Sequence, residues 1–533
     1  MKENCDLLIQ RPRAGHSFAP AFNLIMFFFE NIRPLQNLPL DIISFSKDSS
    51  SHRNMPTTLN DLAEELIIGI GIFLPQSSLA RLARCSSRYY AMCIELLYSH
   101  CTVGNRKSLK ILINTILERS VIGPSIHWLD LRHFSWNDLC RPAPWKTSSF
   151  DLFKKAMLVQ KKLTSWNIST WTGIVWMEIS CWGLITVLLC LVPKLRVLGL
   201  PTLGEERRWH GVTLKGSHYE VSTFINFIAR LAEDQRTESP DIAPLRVLEN
   251  LESITIAPDF YHRRTRLDSI MPLMVLRSVE RFKIVSMWHL SCMNSRRVKC
   301  VAPIPNIESL NFVSCYFTDD IGTFLGRFTG IQRLYLSGSP GIMDEFDDIP
   351  LYVDNILKGL TSSKHSLKYV DVSFVSRIPD DQSLSLSQFK RLQVAKLSPS
   401  PSKWSSQSPI EDESQFINFL PPGLRILVCK PFFDEHDVVS LEQLYNLVAE
   451  KEKYVPELRK IELVWDDAIL KYNCEDCENH CELSEKIPFL TKLIAECKAK
   501  NICIFSGHPS WKASGTLEPE NSENTKGLLG YLF

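Results

Sequence analysis

A chain of 533 residues, 45% apolar and 22% charged, is too long for one ordinary domain and carries ample material for a large core. Its 60 basic and 59 acidic side chains leave a formal net charge of +1, so no global field points to nucleic acid or to an anionic membrane surface. The 16 cysteines follow no short regular framework, which argues against a secreted disulfide scaffold and predicts reduced, mostly buried thiols in the cytoplasm or nucleus.

Residues 1–54 differ in character from the rest of the chain. The apolar run "FAPAFNLIMFFF" at 18–29 contains Pro20 and ends at Glu30. It is shorter than the roughly 20 apolar residues a spanning helix needs, and no small-residue cleavage site comes after it. The apolar run at 182–192 stops at Pro193 and is expected to be a buried helix. No membrane span is therefore expected. The polar stretch "SKDSSSHRN" at 46–54 reads as a flexible link, and Met55 would serve as a start. Residues 1–54 are expected to be a flexible extension, dispensable for folding.

Three short helical patterns come next. The first is expected to begin at Asp61 as N-cap, with Glu64 as its capping-box partner. Leu62, Leu66, Ile70 and Phe73 or Leu74 recur at helical spacing, and Pro75 stops the run. A second helix is expected after Ser77, with Leu79, Leu82 and Ala83 on one face. Ser86 and Ser87 interrupt it. A third is expected over about 88–98, its apolar side formed by Tyr89, Met92, Cys93, Leu96 and Leu97. So small a bundle can hardly bury all its apolar surface alone, which predicts a partner.

The stretch 59–101 resembles the F-box. That family opens with Leu-Pro shortly before a Leu or Ile, continues to a Val-Ser-Arg-aromatic element and ends near a Leu-Tyr. Here the opening is Leu62-Ala63-Glu64-Glu65-Leu66, followed by Ile70 and Phe73-Leu74. Leu79, Leu82, Cys85-Ser86-Ser87-Arg88-Tyr89-Tyr90 and Leu97-Tyr98 complete the pattern. Ala63 stands where the family has Pro, and Cys85 where it has Val. Both are small and apolar. The resemblance implies an F-box over 55–104 that docks the Skp adaptor, and through it a cullin. Leu62, Ala63, Leu66, Ile70, Leu74, Leu79, Leu82 and Cys85 would face the adaptor or support that face.

The remainder carries an irregular repeat of the form apolar-x-x-apolar-x-apolar. It recurs at Ile126/Leu129/Leu131, Leu195/Leu198/Leu200, Leu251/Ile254/Ile256, Val279/Phe282/Ile284, Ile307/Leu310/Phe312, Ile331/Leu334/Leu336 and Leu367/Val370/Val372. Leu392/Ala395/Leu397 and Leu424/Leu427/Cys429 are weaker copies, and Leu458/Ile461/Leu463 is the last. From Leu251 onward the units start 24 to 36 residues apart. This resembles a degenerate leucine-rich repeat, in which a strand alone cannot bury its face and stacked units share one core. Return helices are expected over 221–234, 319–327, 352–361, 440–453 and 487–500. The asparagine usual in the motif is mostly missing. An ordinary α/β domain with strands at similar spacing is the competing reading. The expected organisation is an α/β solenoid: an F-box, a helical linker over 105–192, a repeat array over 193–506 and a flexible tail over 507–533. A Ser- and Pro-rich stretch at 398–414 is expected to be a mobile loop.

Chemistry-bearing patterns are few. Cys474, Cys477, His480 and Cys481 are zinc-ligand types with a Cys-x-x-Cys bite. They lie too close together to close a tetrahedron comfortably, and Cys497 and Cys503 would complete the set only loosely. Glu475, Asp476, Glu478 and Glu482 fit a solvated loop, so no metal and no cofactor is expected. "GVTLKGS" at 211–217 lacks the Lys of a phosphate loop, and neither a Gly-x-Ser-x-Gly nor a His-Glu-x-x-His pattern occurs. Arg263, Arg264 and Arg266, and then Arg296, Arg297 and Lys299, form small basic clusters that read as solvated loops or as holds for an acidic target. Trp166, Trp171, Trp176 and Trp182 are expected to pack where the helical module joins the array. The resemblance thus implies a non-enzymatic substrate-recognition subunit of a Skp–cullin–F-box ubiquitin ligase, binding an unspecified protein target and neither nucleic acid nor membrane. A repeat scaffold without ligase recruitment is the alternative, because Ala63 replaces Pro.

Overall fold

The computed structural model describes residues 62–134, 181–201, 203, 217–237, 247–257, 267–285, 303–315, 321–338, 353–375, 385–399, 414–429, 438–463 and 491–506. The chain divides into two compact units, Met1–Leu97 and Tyr98–Phe533.

In the first unit, helix α1 is Glu64–Ile72, α2 is Gln76–Cys85 and α3 is Ser87–Ser99. The start of α1 differs from expectation: Ala63 is the N-cap and makes no side-chain cap hydrogen bond, and Asp61 lies outside the described residues. Glu64 and Glu65 instead occupy the first turn, where their charges suit the positive end of the helix. Helix α2 begins one residue before Ser77, directly after Pro75, whose φ of −63° already matches a helix entry. It ends where Ser86 turns extended, with φ −159° and ψ 161°. The Ser86 hydroxyl then accepts the Tyr89 N–H at 3.1 Å, which caps α3. One serine therefore closes one helix and opens the next. Leu79, Ala83 and Cys93 form the small core, with Leu74, Leu82, Tyr90, Leu96 and Leu97 packed on it. Gly71 lets α1 and α3 approach: a Cβ there would stand 2.8 Å from Leu96 Cδ1.

Among the described residues, the second unit is built on one 12-stranded parallel sheet whose strands lie side by side in chain order. The strands are β1 His100–Thr102, β2 Trp128–Asp130, β3 Val197–Leu200, β4 Ser253–Ile256, β5 Arg281–Val285 and β6 Ser309–Cys315. Then come β7 Arg333–Gly338, β8 Tyr369–Val375, β9 Val394–Pro399, β10 Ile426–Cys429, β11 Lys460–Leu463 and β12 Cys503–Ser506. Every expected repeat unit forms a strand. The helices between them are α4 Arg106–Glu118, α5 Ile122–Ser125, α6 Cys181–Leu191, α7 Ser217–Thr237, α8 Leu267–Met274, α9 Ile321–Leu325, α10 Val353–Leu360, α11 Ser414–Phe419, α12 Val438–Ala449 and α13 Lys451–Tyr454. Residues 491–499 form helix α14.

The repeat has a direct physical basis in the register. Leu129, Leu198, Ile254, Phe282, Leu310 and Leu334 stand opposite one another on successive strands, and all are buried. Val370, Ala395, Leu427 and Ile461 continue that column. Such columns fuse into one core reaching from Cys101 to Ile502. Just ahead of the strands runs a backbone ladder: the Glu280 and Arg281 N–H groups both donate to Glu252 O, and those of Glu308 and Ser309 to Glu280 O. The same double acceptance repeats at Glu308, Gln332, Lys368, Gln393 and Arg425.

The missing motif asparagines are replaced by scattered polar staples at the turns. Asn306 Nδ2 donates to Leu276 O at 2.8 Å and to Val279 O at 2.7 Å. Asn250 Nδ2 donates to Pro193 O, Ser278 Oγ to Leu248 O, and Ser385 Oγ to Phe419 O. Ser363 Oγ donates to Phe328 O at 2.7 Å and accepts the Ile331 N–H. Each links one repeat to its neighbour and satisfies turn carbonyls that the sheet cannot reach. Helix α6 is buried along its whole length, and Trp182 within it stacks at 4.9 Å on Phe224 of α7. Trp166, Trp171 and Trp176 lie outside the described residues.

Candidate functional site

Two surfaces carry unusual side chains. The first is α1. Its sequence, EELIIGIGI, is apolar almost all round, so no stripe dictates which side turns inward. The fold buries Ile67 and Gly71, one turn apart. That leaves Leu66 57%, Ile72 64% and Phe73 61% exposed, with Ile68 at 38% beside them. Large apolar side chains so exposed on a short helix need a reason.

The residues expected to serve an adaptor are spread over this unit in three settings. Leu66, Ala63 and Cys85 are exposed. Leu62 and Ile70 are half-buried. Leu79 is buried in the core, and Leu74 and Leu82 pack against it, so these three support the bundle from within. Ile68, Ile72 and Phe73 enlarge the outward surface beyond the expected set. Sequence periodicity passes over them because a uniformly apolar helix has no phase to read. Arg88, from the Ser-Arg-aromatic element, donates from Nη2 to Leu62 O at 3.1 Å and lies 3.6 Å from Glu64. It ties the start of α3 to the start of α1. Both partners of the ion pair are substantially exposed, so the backbone hydrogen bond carries more weight than the charge pair.

The second surface is the polar face of the sheet. On β7 and β8 the rings of Tyr335 and Tyr369 stack with centroids 4.6 Å apart. The Tyr369 hydroxyl is 3.5 Å from Asp371 Oδ2, which Lys396 Nζ approaches to 3.1 Å. Burial pushes the Tyr369 phenol well above its usual range, and the Asp371 charge adds to this. Burial also raises the Asp371 carboxyl, with Lys396 opposing the rise. Toward the first strands, Asp130 accepts the Arg132 backbone N–H at 3.0 Å and Nε at 2.9 Å, and its second oxygen accepts Nη2 at 2.7 Å. Burial works to raise this carboxyl, but the Arg132 hydrogen bonds and charge outweigh it and hold it below the usual range. Gly199 leaves room for the pair, since a Cβ there would stand 2.6 Å from Asp130 Oδ1. His100 and Trp128 stack beside it at 5.4 Å.

Among the described residues, no three His, Cys, Asp or Glu side chains gather to hold a metal ion. Cys474, Cys477, His480 and Cys481 lie outside them, as do Arg263, Arg264, Arg266, Arg296, Arg297 and Lys299. Of the more distant thiols, Cys497 is buried, which pushes it up to about 12, and Cys503 is exposed. Among the described residues, no helix is long and apolar enough to cross a membrane. No protein-family model matches the sequence, and no curated protein matches it. What stands is the architecture: N-terminal helices followed by a long, irregular, leucine-rich-repeat-like α/β solenoid.

Proposed function

We propose that this chain is an F-box substrate-recognition subunit of a Skp–cullin–F-box ubiquitin ligase. In this reading the three-helix unit docks a Skp adaptor and the solenoid holds the target. The chain makes no bond itself; it brings a target lysine to the charged conjugating enzyme, and the rate gain comes from proximity. One observation carries the reading: among the described residues of the N-terminal unit, three helices with a very small core leave Leu66 and Ile72 of α1, and Phe73 at its C-cap, more than half exposed. Covering what remains exposed of these three side chains is worth about 1–2 kcal/mol each.

The local backbone supports the resemblance. Ala63, where the family has Pro, holds φ −61° and ψ 149°, and that φ is the one a proline ring imposes. The Arg88 clamp on Leu62 gives the family's Ser-Arg element a physical role. Co-purification of the full chain with a Skp adaptor tests the proposal. The paired substitution Leu66→Asp and Phe73→Asp places two charges on exposed positions and leaves the bundle core untouched. It is expected to abolish adaptor capture with an unchanged melting profile. Undiminished capture by that variant, or none by the parent chain, would overturn the reading.

A further inference from the structure

We propose that the open face of β5–β8 receives an extended acidic segment of a partner protein, with Lys283 and Arg333 as its anion-binding side chains. The outward positions form two rows across the strands. In one, Arg281 of β5 stands opposite Ser309 of β6, which stands opposite Arg333 of β7 and then Tyr369 of β8. In the other, Lys283 stands opposite Asn311, Tyr335 and then Asp371. Arg281 and Lys283 are exposed, and Ser309, Asn311, Arg333, Tyr335 and Tyr369 are half-buried.

The cations of this region are not equivalent. Arg281 is engaged by Glu252 at 3.0 Å, and Lys396 by Asp371 at 3.1 Å. Among the described residues, Lys283 and Arg333 have no carboxylate partner. Lys283 stands opposite Asn311, and Arg333 lies diagonally across from it, opposite Ser309; the Asn311 Oδ1 is buried and has no hydrogen-bond partner among the described residues. A buried acceptor beside two cations that no described carboxylate engages calls for a ligand with both anions and N–H donors. An acidic polypeptide has both; a lone inorganic anion lacks the donors. The Tyr335–Tyr369 stack bridges the two rows and offers an apolar shelf for a side chain between the anions. Glu280 and Glu308 stand one position earlier, on the backbone ladder. They repel an acidic occupant from that edge and so confine it to the rows of Lys283 and Arg333.

This inference goes beyond the ligase reading and stands without it, since it needs no adaptor. Random 12-residue peptides displayed on phage and selected on the purified full-length chain test it. The selected pool is expected to be enriched in Asp and Glu. The enrichment should fall to the library level for Lys283→Glu with Arg333→Glu, and partly for the milder Lys283→Gln with Arg333→Gln. Circular-dichroism melting checks that both variants fold. A synthetic selected peptide should lose affinity on the order of tenfold or more against the charge-reversed variant, and should weaken with added salt. Replacing its acidic residues with phosphoserine distinguishes the source of the anion, and tighter binding of either form supports the proposal. A pool without acidic enrichment, an acidic pool retained by the charge-reversed variant, or a lysine-substituted peptide that binds equally well would each overturn it.

Discussion

Asn306 offers a direct test of how the repeats are held together. Its amide donates to two carbonyls of the preceding turn, Leu276 O and Val279 O, at 2.8 and 2.7 Å. Both acceptors belong to buried residues, Leu276 and Val279. Asn306→Ala removes both bonds. Each is worth about 0.5–1.5 kcal/mol net, and a buried carbonyl left unpaired adds a further penalty of about 1–3 kcal/mol. Asn306→Ala should therefore cost about 2–6 kcal/mol at this junction. Asn306→Asp keeps the shape but replaces the donor with a charge facing two carbonyl oxygens, and should cost at least as much. Global melting is a poor readout, because a long solenoid need not unfold in one step. Amide hydrogen exchange resolved by peptide is the better assay. Protection should fall in β5 and β6, on either side of the junction, and hold in β10 and β11. A change below about 0.5 kcal/mol in both variants, within the range of an ordinary surface substitution, would refute the claim that these side chains stand in for an asparagine ladder.

Two further outcomes rest on the same geometry. Ala63→Pro should stabilise the helical unit by about 0.4–1 kcal/mol, because the residue already holds a φ of −61° and the unfolded chain loses freedom; a lowered melting temperature or lost adaptor capture would count against the assigned backbone role. Asp130 has a folded-state pKa depressed by Arg132, so its stabilisation is present above the unfolded carboxylate value and disappears as pH falls through the folded one. Asp130→Asn should therefore flatten the acid limb of stability against pH, and denaturant titrations across pH 2 to 6 (about two units either side of an ordinary carboxylate) would show an unchanged limb if the pair were inert.

The strand plan is open to reading from the sequence because burial there is periodic. Leu310 and Phe312 lie in the core while Asn311 points away, and that alternation fixes both position and face. Two strands escape the pattern, each for a definite reason. β1 rests on Tyr98-x-x-Cys101-x-Val103, which fits the repeat but lies where the helical module is expected to end. β12 aligns Ile504 with Ile461 and Ser506 with Leu463, so only part of its pattern is apolar. Helix α8 is hidden because Pro272 sits inside it and reads as a breaker. The polar face is illegible for a deeper reason. Lys283, Asn311, Tyr335 and Asp371 belong to different repeats and become neighbours only through the register. On α1 the difficulty is the opposite: nearly every position is apolar, and only packing against Leu79 and Leu96 decides that Gly71 turns inward.

The uneven repeat length has a simple topological consequence. Return paths from helix to strand are mostly short, from Met274 to Arg281, Leu325 to Arg333, Ser363 to Tyr369 and Tyr454 to Lys460, with the path from Thr237 to Ser253 as the long exception. Most of the variation in step therefore enters after a strand and before the next helix. All the strands are parallel and lie in chain order, so those entry points share one edge of the sheet. The two arginine clusters, the Ser- and Pro-rich stretch and the Cys474–Cys481 group fall in sequence between consecutive strands and lie wholly or mostly outside the described residues. A fold that keeps its core columns in strict register while lengthening only one set of connections can change what it binds without disturbing what holds it together. The Lys283–Arg333 cradle lies on strands next to that edge. If the sheet holds a target as proposed, insertions there are the physical means by which the solenoid would add contacts to it.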